Sequence, residues 1–312
     1  MKQTYYSNGK LLLTGEYVVL DGALSLAVPT QFGQSLIVES IQEPKLIWKS
    51  YDSDNSVWFE DEFDLKQIVS GYSNLSNDIS ERLIQVLIEA KQLNPNFLSE
   101  HHGFKVESKL TFPRIWGLGT SSTLINNVAT WAEVDAYQLL ERTFGGSGYD
   151  IACAQYDSAI TYQLKEPFKC SIRDKRTVSP VNFNPKFKSN LYFVHLNKKQ
   201  DTRVGIENYK KHAFNLSKEI FEINGITSNF LVCKQLEEFE TLINQHELII
   251  SKITRQQPVK ELHFKDFEGS IKSLGAWGGD FVMVASKENP TSYFKSKGFE
   301  TVIPFEQMIL EK

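Results

Sequence analysis

The stretch PRIWGLGTSSTLINN, residues 113–127, decides how the rest of the chain is interpreted. Its two glycines, Gly117 and Gly119, let the backbone approach a bound group closely. Three hydroxyl residues of the type that begins helices follow: Thr120, Ser121 and Ser122. A helix N-terminus presents unpaired N–H groups and the positive end of the helix dipole, and both attract anions. We therefore expect a phosphate here; a tight strand-to-helix turn without a ligand is the alternative.

Two familiar phosphate loops can be compared with this stretch. A P-loop has the pattern GxxxxGK[ST], but the glycine spacing differs and no lysine lies between Lys109 and Lys165. A dinucleotide-binding loop needs a third small residue, here Ser122, and an acid about 20 residues later, here Asp135 or Glu141. This second interpretation, which implies a nicotinamide-dependent enzyme, stays open.

Composition limits the class of protein. The chain has 312 residues, of which 41% are hydrophobic and 23% charged, as in soluble globular proteins of one large or two medium domains. The net charge of -4 argues against a nucleic-acid partner. Three widely spaced cysteines, Cys153, Cys170 and Cys233, predict free thiols in a reducing cytoplasm. Neither a signal peptide nor a membrane span is predicted.

Hydrophobic patterns predict interleaved strands and helices, so the class is α+β or α/β. The first 60 residues, including KLLLTGEYVVL, are predicted to be strands, and residues 78–93 to be a helix. After a strand at 103–112 and the glycine loop, helices and a strand lead to a predicted domain boundary at Glu166. Beyond it we expect helices near 204–223 and 229–252, and two strands around the glycine turn in SIKSLGAWGGDFVMVAS.

Three further segments carry chemistry. NGKLLLTGEY places Lys10 directly after a glycine, GGSGYDIA places Asp150 in a glycine-rich turn, and LGAWGGDF contains Gly278 and Gly279. Each also has an ordinary structural interpretation. Lys10 can be a solvated charge, Asp150 a helix cap and the glycine pair a hairpin turn.

Together and in this order, the four segments resemble the motifs of the GHMP kinase family, which includes galactokinase, homoserine kinase, mevalonate kinase and phosphomevalonate kinase. GKLLLTGEYVVLDGALSLAVPT, PRIWGLGTSSTL and GAWGGDFVMV are similar to its three motifs, and GGSGYDIACA to the segment with its catalytic aspartate. The resemblance is strongest to mevalonate and phosphomevalonate kinases. It implies an α+β fold with a ribosomal-protein-S5-like domain at 1–166, a ferredoxin-like domain at 167–312 and an active site between them.

The resemblance also implies roles for particular residues. Asp150 matches the catalytic aspartate, and Lys10 matches the lysine that approaches both this aspartate and the reacting hydroxyl. Ser121 and Glu141 match the ligands of Mg²⁺, with Glu133 as the alternative to Glu141. The nucleotide phosphates would lie on the backbone of the second motif, at Gly117, Leu118, Gly119, Thr120, Ser121 and Ser122.

Other positions are predicted with an alternative beside them. Glu16 and Thr202 match positions that contact substrate in relatives, but they also suit a strand brace and a helix cap. Gly278 and Gly279 are expected near the substrate. Trp277 replaces a glycine of the third motif, where an indole would narrow the substrate side or cover the phosphate turn. A histidine within LYFVHL, His195, is predicted to be a core residue.

The implied function is an ATP- and Mg²⁺-dependent kinase. It would transfer the γ-phosphoryl group to mevalonate or phosphomevalonate, in isoprenoid precursor synthesis. Another acceptor, such as homoserine or a sugar, and a non-catalytic ligand-binding relative are the alternatives. The expected partner is a small acid or alcohol, without nucleic acid or membrane, and the protein is expected to be a monomer or homodimer.

Overall fold

A computed structural model describes residues 2–69, 78–98, 102–165, 175–198, 202–212, 215–275 and 277–311. The chain forms two compact units, each built from separate segments. The first contains the described residues of Met1–Gly9, Phe32–Arg114 and Leu118–Gln155. The second contains those of Lys10–Gln31, Ile115–Gly117 and Tyr156–Lys312. Strands and helices occur in both, so the predicted α+β class is confirmed.

The first unit contains a mixed β-sheet. Its strands come from β1 (Lys2–Leu12), β2 (Ser25–Ile41), β3 (Lys45–Tyr51), β4 (Val57–Asp64) and β5 (Gly103–Leu110). They lie in the order β4-β3-β5-β2, with β1 also paired to β2. The β3–β5 pair is parallel, whereas β3–β4 and β2–β5 are antiparallel. Alternate residues of β3 are buried, as the pattern KLIWKSY predicts for a strand with one wet face.

In the described residues of the first unit, five α-helices accompany this sheet: α1 (Leu65–Val69), α2 (Asp78–Leu93), α3 (Thr120–Ala132), α4 (Ala136–Thr143) and α5 (Tyr149–Gln155). The apolar faces of α2 and α3 bury Leu87 and Val128 in one core with Trp48 and Val106 of the sheet. The side chain of Asp135 caps α4 by accepting hydrogen bonds from two amides of its first turn. The bounds of α2 agree with the sequence prediction, and α3 begins among the three hydroxyl residues of the type that starts helices.

The second unit contains an antiparallel sheet in the order β11-β8-β10-β9. Its strands are β8 (Leu191–His195), β9 (Ser270–Ser273), β10 (Phe281–Ala285) and β11 (Val302–Pro304), while β6 (Ile160–Leu164) pairs with the start of β2 and with β7 (Arg176–Pro180). The helices are α6 (Thr202–His212), α7 (Ser217–Val232), α8 (Leu236–Thr254), α9 (Val259–His263), α10 (Thr291–Ser296) and α11 (Phe305–Met308). A strand, helices, a hairpin, a helix and a strand in this order form the predicted ferredoxin-like topology.

Some sequence predictions were wrong in detail. The two helices predicted near 204–223 and 229–252 are three: α6 ends at His212, and α7 runs through residues 224–228 until the chain becomes extended at Cys233. The strand predicted for KLLLTGEYVVL ends at Leu12, since Gly15 and Tyr17 both have positive φ angles that a strand does not accept. The predicted boundary at Glu166 lies outside the described residues and stays a prediction. Among the described helices, none is long and apolar enough to cross a membrane.

The dinucleotide interpretation of the glycine loop loses its structural basis. Such a loop lies inside a unit of strand, helix and parallel strand. Here the strand that follows α3, α4 and α5 is β6, which does not pair with β5, because β2 lies between them and is antiparallel to both. The loop after β5 therefore does not open a dinucleotide-binding unit.

We predict opposite effects of alanine at two glycines. A Cβ at Gly103 would lie 1.9 Å from the carbonyl oxygen of Glu43 and 2.3 Å from that of Lys45, so Gly103→Ala must displace backbone. We expect it to lower the free energy of unfolding by about 2–3 kcal/mol. Gly225 lies in α7 with open space around it, so Gly225→Ala should raise that free energy by about 0.5–1 kcal/mol. Urea unfolding of both variants tests this, and a Gly103→Ala protein as stable as wild type would contradict it.

Candidate functional site

The glycine loop leads directly into α3. A 3₁₀ turn at Arg114–Trp116 precedes Gly117 and Gly119, whose φ angles of 69° and 95° are in the left-handed region that suits glycine. Gly119 is the N-cap of α3, and since glycine has no side chain, this residue supplies no capping acceptor to the first turn. The amide N–H groups of the turn therefore lack the usual N-cap acceptor, which leaves them able to bind an anion.

Hydroxyl groups fix this turn from its inner side. Ser122 and Thr123 are buried; the Ser122 hydroxyl donates to the Gly119 carbonyl oxygen at 2.9 Å, and the Thr123 hydroxyl donates to Gln34 Oε1 of β2 at 2.6 Å. Ser121, between the loop and these residues, is exposed. The predicted phosphate residues thus separate into two kinds. Ser122 offers only its backbone to a ligand, whereas Ser121 also offers its hydroxyl.

The two candidate carboxylates for Mg²⁺ lie on different helices. Glu133 is the C-cap of α3, about 18 Å along the helix from Ser121. That distance exceeds the separation of about 4 Å between two ligands of one Mg²⁺ ion. Glu141 is exposed near the end of α4, which packs against α3. In the described part of the chain, no group of three or more His, Cys, Asp or Glu side chains is arranged to hold a metal ion.

A buried polar network that the sequence did not predict anchors α3 within the first unit. Asn127 accepts from the Ser7 hydroxyl at 2.8 Å and donates to the Gln34 carbonyl oxygen at 2.9 Å. Asn126 donates to the Ser7 hydroxyl and accepts from Gln155 of α5, each at 2.9 Å. The network therefore connects α3 to β1, to β2 and to the helix that carries Asp150.

Asp150 is the second residue of α5 and is partly buried. Its carboxylate accepts from the Ile151 amide at 3.2 Å, and the helix dipole at this first turn favours the ionised form. Three glycines with positive φ angles precede it: Gly145, Gly146 and Gly148. Asp150 thus lies in the first turn of α5, two residues after the last of these glycines, rather than at the N-cap position that the structural interpretation predicted.

Lys10 lies in the second unit together with Gly117. Its ammonium group donates to the Gly117 carbonyl oxygen at 3.1 Å. The Asp280 side chain lies against the same glycine, because a Cβ on Gly117 would be 2.5 Å from the Asp280 Cγ atom. Sequence reasoning missed Asp280, although an acid directly after a glycine pair was a signal. A basic and an acidic group therefore both touch the first glycine of the loop.

His195 holds the segment before this glycine. The Ile115 carbonyl oxygen lies 3.3 Å from His195 Nε2, and the Asn197 amide donates to Nδ1 at 3.3 Å. A carbonyl only accepts, so Nε2 carries the proton and the ring is neutral. Burial lowers the pKa of His195 below its ordinary value. The Trp116 ring packs edge-on against Phe281, which completes the attachment of residues 115–117 to β8 and β10.

Glu16, a predicted substrate residue, is only 1% exposed, and its carboxylate accepts from the Lys272 ammonium at 2.6 Å. Gly278 and Gly279 lie in the turn between β9 and β10, as predicted for a hairpin. Trp277 is 1% exposed, so its indole is an interior group rather than a surface one. Thr202 begins α6, and its side chain lies outside the described residues.

We predict that His195 is neutral and protonated at Nε2 near neutral pH. Its pKa should lie below the ordinary 6.5, because burial disfavours the imidazolium. The unfolded chain binds a proton at this histidine near pH 6.5, whereas the folded protein binds it only at lower pH. The free energy of unfolding should therefore fall as the pH drops from 6.5 toward the lowered pKa. Nitrogen-15 NMR of the imidazole rings, assigned with His195→Gln, measures both tautomer and pKa. A ring protonated at Nδ1, or titrating above 6.5, would contradict the prediction.

Solved structures of small-molecule kinases match nearly the whole chain. The Methanococcus jannaschii mevalonate kinase is 17% identical, with 97% of this chain and 96% of that chain covered and a TM-score of 0.69. The Streptococcus pneumoniae phosphomevalonate kinase, solved with phosphomevalonate and AMPPNP, is 15% identical, with 95% of both chains covered and a TM-score of 0.66. The Lactococcus lactis galactokinase, solved with galactose, is 13% identical, with 99% and 93% covered and a TM-score of 0.66.

The sequence itself matches no protein-family model and no curated protein sequence. At identities of 13–17% the likeness establishes the fold. This fold extends over both units and is the one that the four sequence motifs predict. The chain has the GHMP kinase fold.

Proposed function

We propose that the protein is an ATP- and Mg²⁺-dependent kinase that transfers the γ-phosphoryl group to a small acid or alcohol. The observation that carries the proposal is the uncapped first turn of α3 behind the glycine loop, within a fold shared with small-molecule kinases. Phosphoryl transfer depends on positioning and on neutralising charge, rather than on covalent chemistry by the protein. Backbone amides and a few charged side chains are therefore sufficient.

The nucleotide phosphates would bind the backbone amides of residues 117–122. Ser121 and Glu141 would hold the magnesium ion, since an exposed hydroxyl and an exposed carboxylate are hard oxygen donors that Mg²⁺ accepts together with phosphate and water. The bound ion would supply positive charge that offsets the negative charge of the transferring group. One of the compared structures, the phosphomevalonate kinase, was solved with the ATP analogue AMPPNP, which supports the choice of nucleotide.

Asp150 would accept the proton of the acceptor hydroxyl. Its place in the first turn of α5, where the helix dipole favours negative charge, suits a carboxylate that acts as a base. Lys10 would stabilise the negative charge that develops on the acceptor oxygen. Its hydrogen bond to the Gly117 carbonyl holds the ammonium beside the phosphate loop.

Mevalonate or phosphomevalonate is the acceptor we propose, so the reaction would belong to isoprenoid precursor synthesis. Two of the compared structures are kinases of these compounds. A sugar acceptor is the second candidate, because the galactokinase with bound galactose covers the chain equally well.

The first test is the release of ADP from ATP and Mg²⁺ with each candidate acceptor. We expect turnover with mevalonate or phosphomevalonate and little with galactose or homoserine. Turnover confined to galactose would replace the proposed acceptor but keep the kinase. No ADP release with any acceptor, despite a thermal shift with ATP and Mg²⁺, would favour a ligand-binding protein without catalysis.

The second test concerns the proposed base. Asp150→Asn should retain binding of ATP but lose turnover by about 10³-fold or more, because the amide does not accept the proton. Asp135→Asn is a matched control, since asparagine also caps helices well and this residue caps α4. Steady-state kinetics and nucleotide titration of both variants measure the difference. Equal turnover in the two variants would remove Asp150 from the mechanism.

A further inference from the structure

Four ionisable side chains of the second unit are buried together, apart from the residues given a chemical role above. His246 and Glu247 come from α8, Lys272 from β9, and Glu16 from the loop after β1. Their exposed fractions are 0%, 4%, 0% and 1%, respectively. Ionisable groups are almost never buried this completely unless they compensate one another.

One ammonium group faces two carboxyl groups in this cluster. The Lys272 Nζ atom lies 2.6 Å from Glu16 Oε1 and 3.7 Å from Glu247 Oε1. The other oxygen of Glu247 accepts from the Ser273 hydroxyl at 2.8 Å. Glu16 is therefore the direct counterion of Lys272, and the more distant Glu247 interacts with the same ammonium more weakly.

His246 does not add a positive charge. Its Nε2 atom accepts from the Gly15 amide at 3.0 Å, so this nitrogen carries no proton and donates none to Glu16 Oε2, which lies 3.2 Å away. Burial, with a smaller effect of the Lys272 charge, lowers the pKa of His246 well below 6.5. With a neutral histidine, two ionised carboxylates and one ammonium would leave a net negative charge in the interior, which is strongly unfavourable.

We propose that the cluster retains one proton, on Glu247, and that this proton makes Glu247 a positioning residue for the loop that follows Lys10. The positioning role rests on the proposed function, whereas the retained proton does not. Burial raises the pKa of Glu247 to about 7, although Lys272 and Ser273 act in the opposite direction. Burial also raises the pKa of Glu16, but its contact with the ammonium, more than 1 Å shorter than that of Glu247, favours the ionised form.

The loop depends on this cluster at its beginning. Gly15 has a φ angle of 86°, and a Cβ there would lie 2.1 Å from the Ser25 hydroxyl, so the backbone has little space at this residue. Its amide donates to His246 from this confined position. The neighbouring Thr14 hydroxyl is 2.8 Å from that of Thr227 on α7 and accepts from the Leu26 amide. Charge added at Glu247 would act on this arrangement through His246 and Glu16.

The other end of the loop holds α6. The Tyr17 ring stacks on that of Tyr209 with centroids 5.5 Å apart, and the Tyr209 hydroxyl donates to Asp21. The Tyr17 hydroxyl lies against Gly205, where a Cβ would be 2.6 Å away. Since α6 begins at Thr202, the predicted acceptor contact, a displaced loop would move a helix expected to face the acceptor.

The charges that act on Glu247 are few. In the part of the chain that the structure describes, they are Glu16 of the loop, His246 of the same helix and Lys272 of β9. The elements α6, α7 and β10, which also pack on α8, contribute none of them. Ionisation of Glu247 would therefore be opposed by a single ammonium that already serves Glu16.

The proton is tested by carbon-13 NMR of the glutamate carboxyl groups, assigned with Glu247→Gln. We expect Glu247 to titrate near 7. Because the folded state then holds a proton that the unfolded chain releases near 4.5, the free energy of unfolding should fall with rising pH between these values. Glu247→Gln should remove this part of the slope without loss of stability near pH 7, whereas Glu16→Gln should destabilise at the same pH. A Glu247 ionised at pH 6, or the reverse ranking of the two variants, overturns the proposal.

Positioning is tested by amide hydrogen exchange at Gly15 and by the KM of the acceptor. Between about pH 6.5 and 8.5, exchange at Gly15, corrected for its intrinsic rate, should accelerate several-fold in wild type and stay constant in Glu247→Gln. The KM of the acceptor should rise over the same range in wild type only, with the KM of ATP unchanged. Exchange at Gly15 that does not differ between the proteins overturns the positioning role. If no acceptor is phosphorylated, the proposed kinase function is wrong, but the effect of Glu247 on the loop is still tested by exchange at Gly15.

Discussion

The first turn of α3 is the constraint around which the first unit is arranged. Unpaired amides at a helix start are unfavourable unless a side chain, water or a ligand accepts from them. Ser122 and Thr123 are of the type that caps helices, yet the Ser122 hydroxyl donates to the Gly119 carbonyl and the Thr123 hydroxyl to Gln34 of β2. The helix is fixed instead by hydrogen bonds of Asn126 to Ser7 of β1 and of Asn127 to Gln34 of β2. This arrangement keeps the amides available while the helix itself stays fixed.

The second unit contains a buried charge that, like the unpaired amides of α3, is unfavourable unless another group compensates it. Lys272 is fully buried in β9, where its ammonium must be compensated, and Glu16 supplies the compensation from a loop 256 residues earlier in the chain. The same unit attaches residues 115–117 to β8 and β10 through His195 and Trp116. The backbone directly before Gly117, whose carbonyl Lys10 contacts, is thus fixed by the buried side chains of His195 and Phe281.

Local patterns in the sequence predicted the elements that have strong local causes. The helix α2, the start of α3 at Thr120 and the hairpin of β9 and β10 follow from periodicity and glycine placement. The end of α7 at Cys233 did not, because neither glycine nor proline marks it. The order of the four motifs predicted the fold. The roles of single residues were not predicted as well, because they depend on contacts between distant segments.

Glu16 shows why motif matching alone does not assign a role. Its carboxylate is already paired with a buried ammonium, and removing one partner of such a pair costs about 3–5 kcal/mol. A ligand that drew Glu16 away would have to repay this cost, so the acid at this position is explained by Lys272 rather than by a substrate. Residues of different motifs also contact one another directly. Lys10 of the first motif and Asp280 of the third motif both touch Gly117 of the second motif. Part of what makes these motifs recognisable is therefore their contact with one another.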